Sequence, residues 1–304
     1  MQSTNINLPY FDIVLEQLSL GEESVQQAFG RHVHWGYWPN PTQADNSAED
    51  FAIASENLCQ KVCESAGINE NDRLLDVGCG FGGTVASLNE QFQNLHMTGL
   101  NIDPRQLARA KQEVQPLANN QIEFIEGDAC RMPFPDASMD VVLAVECIFH
   151  FPSREDFFRE ARRVLRPGGR LAISDFVPAD FFLGERQTSS ANERLTASNF
   201  LSVSVLQPIQ KLLYQLGASV ITGTYGQVDT YFNLASYRTL AQETGFHLTS
   251  QEDITRNTLP TYPAVSKVFE RTGNHKAARA TAALGKISQL GLLRYQILSF
   301  AVNG

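Results

Sequence analysis

The chain has 304 residues, 43% of them hydrophobic and 19% charged, with 24 lysines and arginines against 33 aspartates and glutamates. That composition excludes a disordered or collagen-like chain, and the length suffices for a large unstapled core in one or two domains. The net charge of −9 argues against nucleic acid as a partner, because phosphate binding needs clustered cations.

Residues 1–46 form a leader. Its first seven residues lack a basic segment followed by an apolar run, so no signal peptide is expected. A dense aromatic patch follows, His32-Val33-His34-Trp35-Gly36-Tyr37-Trp38, and Pro39 and Pro41 break the chain. Ser47 then opens an acidic capping box. The helix it starts runs to about Ala66, with Phe51, Ile53, Ala54, Leu58, Val62 and Cys63 as its buried set and Gly67 as its stop.

From Arg73 the pattern alternates strand and helix. Strands are expected at 73–77, 96–100, 122–126, 141–145 and 170–174. Helices are expected up to Gln91, from Pro104 to Leu117, and from Ser153 to the turn Leu165-Arg166-Pro167-Gly168-Gly169. The unbroken apolar run Val141 to Val145 suits a strand covered on both faces, and it is far short of the ~20 residues that span a bilayer. Short loops between strands and helices imply a parallel, doubly wound α/β sheet. The rhythm breaks after Pro178. Residues 179–219 read as a helical lid insertion, with a strand resuming at Val220. A helix from Ser236 to Thr244, a strand from Phe246 to Ile254 and a last strand from Arg294 to Val302 complete the core. The domain reading is a flap at 1–46, a core at 47–178 and 220–304, and the insertion placed over the acceptor site. The five cysteines, Cys59, Cys63, Cys79, Cys130 and Cys147, have neither disulfide-framework nor zinc spacing, which fits a reducing cytoplasm and no metal site.

The sharpest motif is Leu74-Leu75-Asp76-Val77-Gly78-Cys79-Gly80-Phe81-Gly82-Gly83. Gly78, Gly80 and Gly83 permit a tight turn and close approach of a ligand to the backbone at a helix start. Asp76 would repel a pyrophosphate and attract an ammonium group. The loop therefore suits an amino-acid head group over a dinucleotide. A plain strand-to-helix turn with Asp76 as a cap is the alternative.

Together with Glu126-Gly127-Asp128-Ala129 and the Leu165–Gly169 turn, this motif resembles the class I S-adenosylmethionine-dependent methyltransferases. The resemblance implies a Rossmann-like seven-stranded sheet with the last strand antiparallel, and S-adenosylmethionine as cofactor, leaving S-adenosylhomocysteine as product. It places Asp128 and Ala129 on the adenine and adds Ile102 and Val145 to the cofactor set. Most members carry an acid at the end of the second strand for the ribose hydroxyls. Asn101 stands there instead, and an amide still hydrogen-bonds a diol. A small-molecule and lipid subgroup pairs such a residue with a Gln five further on, here Gln106. Asp103 reads as the cap of the next helix. The leader patch resembles the segment that closes over the cofactor in the tocopherol, glycine/sarcosine and cyclopropane-forming subgroup, which adds His34 and Tyr37. Core packing of the patch is the alternative.

His150 follows the fourth strand and Asp175 ends the fifth. A neutral imidazole can take a hydroxyl proton near neutral pH, and an adjacent carboxylate would orient it. Natural-product O-methyltransferases have a similar arrangement, so His150 and Asp175 are the catalytic pair on this reading. Glu146, Phe149, Phe176 and Tyr225 are assigned to an apolar acceptor pocket, to which Phe181, Phe182 and Tyr231 could add. The expected reaction is O-methylation of a polyketide- or peptide-derived hydroxyl, resembling tailoring enzymes of the microcystin and nodularin type. The acceptor is small and apolar, free or tethered to a carrier protein. An N- or C-directed methyltransferase, a nucleotide-dependent oxidoreductase and a non-catalytic cofactor-binding module are the competing readings.

Overall fold

The computed structural model describes residues 8–179, 222–226 and 232–303. In chain order the elements are α1 (Pro9–Ser19), α2 (Glu23–Phe29), α3 (Ala48–Ala66), β1 (Arg73–Val77), α4 (Gly83–Gln91), β2 (His96–Asn101), α5 (Pro104–Glu113), β3 (Gln121–Glu126), β4 (Met139–Val145), α6 (Arg154–Val164) and β5 (Leu165–Pro178). They continue with α7 (Leu234–Glu243), β6 (Phe246–Asp253), one helical turn at Thr255–Thr258, α8 (Thr261–Arg271), α9 (His275–Gln289) and β7 (Leu293–Val302). The seven strands pair in the order β3-β2-β1-β4-β5-β7-β6. β1 to β5 run parallel, and β7 is antiparallel to both β5 and β6.

The caps fall where the sequence puts them. Ser47 accepts from Asp50 N–H at 3.0 Å, Asp103 from Arg105 N–H at 2.9 Å and Ser153 from Asp156 N–H at 3.0 Å. Each satisfies a donor that the first helical turn leaves unpaired. Gly67 ends α3 with φ +60°, a conformation open to glycine without strain.

The sheet separates two cores by the period-two alternation of its side chains. Leu74, Val141, Leu143, Ala172, Tyr295 and Ile297 face the side of α3, α4 and α5. Leu75, Val142, Ala144, Ile173, Leu298 and Phe300 face α6 and α7, where Phe157 and Phe158 are wholly buried. Each such Phe stabilises the fold by roughly 1.5–3 kcal/mol.

Several expectations need correction. Ile53 is 57% exposed, because it lies on the outer face of α3. α5 stops at Glu113, short of Leu117. Residues 165–169 are part of β5, since Leu165 pairs with Met139 before a register shift. The leader contains α1 and α2, and a helical hairpin, α8 and α9, fills the stretch between β6 and β7 that showed no signal in the sequence. The lid insertion beyond Ala179, the strand at Val220 and the side chains of Phe181, Phe182 and Tyr231 lie outside the described residues. Among the described residues no helix is long and apolar enough to cross a membrane.

Candidate active site

A cavity of about 550 Å³ opens at the carboxyl ends of β1, β2 and β4. The strand order reverses between β1 and β4, and an open α/β sheet leaves its ligand crevice at such a point. The glycine loop forms one wall. Gly78 and Gly80 have φ +69° and +54°. A Cβ on Gly78 would stand 2.7 Å from the Cβ of Cys147, so only glycine permits the turn there. A Cβ on Gly80 would meet nothing nearer than Gln106 Oε1 at 3.8 Å, which leaves room for a ligand against the backbone. Gly83 serves a different purpose. A Cβ there would lie 2.5 Å from Arg31 O and His32 Nδ1, so this glycine seats the leader on the start of α4.

Asp76 is 1% exposed on the cavity wall. Burial pushes its carboxyl up to about 8, opposed by the Thr84 hydroxyl. Its Oδ2 is buried with no hydrogen-bond partner among the described residues. A buried acid with an open acceptor position fits a ligand ammonium group, as the amino-acid end of S-adenosylmethionine requires. At the end of β2, Asn101 Nδ2 donates to Gln106 Oε1 at 2.9 Å, and Asn101 Oδ1 accepts from Ile102 N–H at 2.8 Å. All three residues line the cavity. Asp128 and Ala129 line it beyond β3, with Asp128 Oδ1 held by Cys130 N–H at 2.8 Å. Val145 and His34 are on the wall as well. His34 Nδ1 faces Trp35 O at 2.8 Å, and its Nε2 faces His32 Nδ1 at 3.1 Å. Burial, with His32 adding, holds His34 down at about 3, so it is a neutral ring.

His150 sits in the short helical turn Ile148–His150 after β4 and lines the cavity. Its Nε2 is 3.3 Å from the hydroxyl of Tyr10, a residue of α1. Burial, and then the nearby Glu146, push the Tyr10 phenol well above its usual pKa, so it keeps its proton beside Nε2. Glu146 follows β4 with φ +51°, a strained backbone for a non-glycine residue. Its Oε2 accepts from Trp35 N–H at 2.9 Å and from the Tyr295 hydroxyl. Burial pushes this carboxyl up to about 8.

The expected pairing of His150 with Asp175 is not what the structure contains. Asp175 is fully buried on the other face of β5, away from Ser174 and Phe176. Its carboxylate accepts from Arg154 at 3.0 Å, from the Tyr237 hydroxyl and from Phe176 N–H at 2.8 Å. Tyr37 also departs from its assignment. Its N–H donates to Ala54 O at 2.7 Å and its ring lies under Lys61 at 5.1 Å, so it packs on α3 and is absent from the cavity wall. Phe149, Phe176 and Tyr225 stand behind the wall. Phe176 packs on Trp35, Phe149 and Tyr295, and Tyr225 packs on Tyr10 and Trp35 while its hydroxyl meets Thr281 Oγ1 at 2.6 Å. Apolar aromatics near strand ends read alike as pocket or as core, and here packing claims them. Glu146 does line the cavity.

Sequence reasoning missed Leu8, Tyr10 and Phe11 of the leader and Thr222 and Gly226 across the cavity. A signal existed for α1: Pro9 at a first helical position precedes Tyr10, Phe11, Val14 and Leu18 at helical spacing.

A family model described as "Methyltransferase domain" matches residues 75–173, about a third of the chain. The chain is 28% identical over 282 residues to "Methyltransferase GfsG" of Streptomyces halstedii, covering 91% of this chain and 89% of that one. It is 28% identical over 247 residues to the "27-O-demethylrifamycin SV methyltransferase" of Amycolatopsis mediterranei, covering 81% and 78%. Its fold matches the mycolic acid cyclopropane synthase CmaA1, solved with S-adenosylhomocysteine, at TM-score 0.74 and 13% identity over 97% of this chain and 99% of that one.

Proposed function

We propose that this chain, a class I S-adenosylmethionine-dependent methyltransferase, methylates a hydroxyl on an apolar small molecule of polyketide or peptide origin, with His150 as general base. A tailoring step of the microcystin type is the reading we favour. The rifamycin relative, named for a 27-O-demethyl substrate, supports an oxygen acceptor. The observation that carries the mechanism is the 3.3 Å contact between Tyr10 Oη and His150 Nε2 inside the cavity. A hydroxyl already rests on this imidazole nitrogen.

The cofactor supplies a methyl group activated by a positively charged sulfur. Asp76 would hold its ammonium group, and the open backbone at Gly80 would take the adjacent carboxylate. Asn101, Gln106 and Ile102 would face the ribose, and Asp128 and Ala129 the adenine. His34 and Val145 would close the wall.

The acceptor hydroxyl takes the place of Tyr10 Oη at His150 Nε2. There the imidazole accepts the hydroxyl proton as the oxygen becomes nucleophilic. Tyr10 orients the ring before the acceptor enters. Asp175 acts at one remove, by fixing β5 and α6 through Arg154. The enclosing wall from α1 excludes water that would compete with the acceptor.

His150→Ala is expected to lower turnover by roughly 10²–10⁴-fold while cofactor affinity, measured by calorimetry, stays within about threefold. A parallel fall of both would remove His150 from the chemistry.

A further inference from the structure

We propose that the exposed basic face of the α8–α9 hairpin docks an acidic carrier protein that presents the acceptor at the cavity mouth. This rests on the methyltransferase reading above and names how its substrate arrives.

The hairpin is charged against the trend of the molecule. The chain carries −9 overall, yet α8 and α9 hold Lys267, Arg271, Lys276, Arg279 and Lys286 with Glu270 as their single acid. All five cations are exposed. Among the described residues none of the five forms an ion pair, which they share with cations elsewhere such as Arg73, Lys111 and Arg131, so it is the density of cations that sets the hairpin apart. Lys267 contacts Asn46 O at 3.4 Å. The other four have no such explanation.

Helix electrostatics do not account for the pattern. Cations favour the last turn, which suits Arg271 and Lys286. Lys276 and Arg279 lie near the amino-terminal end of α9, where the helix dipole opposes a positive charge. At 100° per residue Arg279 and Lys286 share one exposed face with His275 and Ala282, and Lys276 flanks it.

The face also adjoins the site. A Cβ on Gly223 would lie 3.2 Å from Lys276 Nζ. Thr222 and Gly226, on either side of Gly223, line the cavity. The hydroxyl of Tyr225 ties the same segment to Thr281 of α9. A macromolecule seated on Lys276, Arg279 and Lys286 therefore stands against a segment of the cavity wall.

A local acidic surface fits better than the alternatives. An extended polyanion such as nucleic acid would meet the negative remainder of the chain. A bilayer needs an apolar wedge, and the hairpin end offers a single exposed large apolar side chain, Leu290. Charge complementarity of limited extent is how a protein partner is steered and held in register.

The test uses the full chain and a fluorescently labelled, strongly acidic holo acyl carrier protein. The wild type should bind it saturably at low salt. The triple variant K276E/R279E/K286E should bind at least about tenfold more weakly, as should the wild type when salt rises from about 50 to 300 mM. S-adenosylmethionine affinity should stay within about twofold in both proteins, which also reports that the variant is folded. Absence of saturable binding, an unaffected triple variant, or equal competition by a short DNA duplex would each overturn the proposal. Loss of cofactor binding by the wild type would instead overturn the methyltransferase reading.

Discussion

Asp76 makes the cofactor site testable without knowing the acceptor. Its carboxyl stands at about 8 in the free protein because burial disfavours its charge. At pH 7 about nine-tenths of the free molecules therefore hold the proton. A cofactor ammonium against the open Oδ2 would restore a pKa near the ordinary ~3.9. Binding at pH 7 should then release about 0.8 proton, and the net release should fall to near zero by pH 8, where an amino group of ordinary pKa ~7.7–8.0 is itself about half deprotonated and takes up a proton as it binds. Below pH 7 the apparent affinity should weaken by about tenfold per pH unit. The same raised pKa has a stability consequence. An acid whose folded pKa lies above its unfolded one destabilises the fold as pH rises from about 4 to 8, here by several kcal/mol at most. The cofactor should recover that loss. Calorimetric titration in buffers of different ionisation enthalpy measures the proton count directly. Asp76→Asn should abolish the release, while Glu146→Gln should leave most of it. A wild type that releases no proton, or an Asp76→Asn protein that still does, would refute the contact between Asp76 and the cofactor amine.

Two further substitutions separate positioning from chemistry. Asp175→Asn removes the charge that Arg154 and Tyr237 hold, so urea unfolding should report a loss of about 3 kcal/mol, with turnover of the folded enzyme within about fivefold. A thousandfold loss of turnover at unchanged stability would instead make Asp175 the partner of His150. Gly83→Ala drives a Cβ into Arg31 O and His32 Nδ1. It should expose the leader to limited proteolysis and weaken cofactor binding by about tenfold or more, as expected for loss of roughly 1.4 kcal/mol or more. An unchanged cleavage pattern would show that the leader does not depend on this seat.

The parts of the site that the sequence displays are local in the chain. Asp76, Gly78 and Gly80 act within five residues of one another, and Asn101 meets Gln106 across one helical turn. The caps at Ser47, Asp103 and Ser153 are equally local. What was not legible depends on contacts over long separations. Asp175 meets Arg154 and Tyr237 from positions 21 and 62 residues away, and nothing near Asp175 in sequence announces either. One clue was available. Ser174 and Asp175 must face opposite sides of β5, so with Ser174 on the side of Tyr295 the acid is aimed into the opposite core. The aromatic residues failed for another reason. Phe149, Phe176 and Tyr225 have the same chemistry whether they line a pocket or pack on Trp35, and only the geometry decides.

The leader supplies part of the cavity wall through Leu8, Tyr10, Phe11 and His34. Its hold on the core is distributed. Arg31 clamps Glu56 and Glu90, Arg105 reaches Asp12 of α1 at 2.9 Å, and Arg109 donates to Gly30 O at 3.1 Å. Each exposed pair contributes at most about 1 kcal/mol. The tighter link is Glu146. Its left-handed backbone costs of order 1–3 kcal/mol, and its carboxyl accepts from Trp35 of the leader and Tyr295 of β7, while its N–H donates to Ser174. Those bonds over-determine a conformation that an isolated turn would leave. A residue held this way just after β4, four positions before the helical turn's His150, transmits the placement of the leader to the imidazole. Tyr10 completes the same loop of contacts from the other side. The geometry of the proposed base is therefore set by a segment more than one hundred residues upstream, and a change that loosens α1 should disturb His150 before it disturbs the glycine loop.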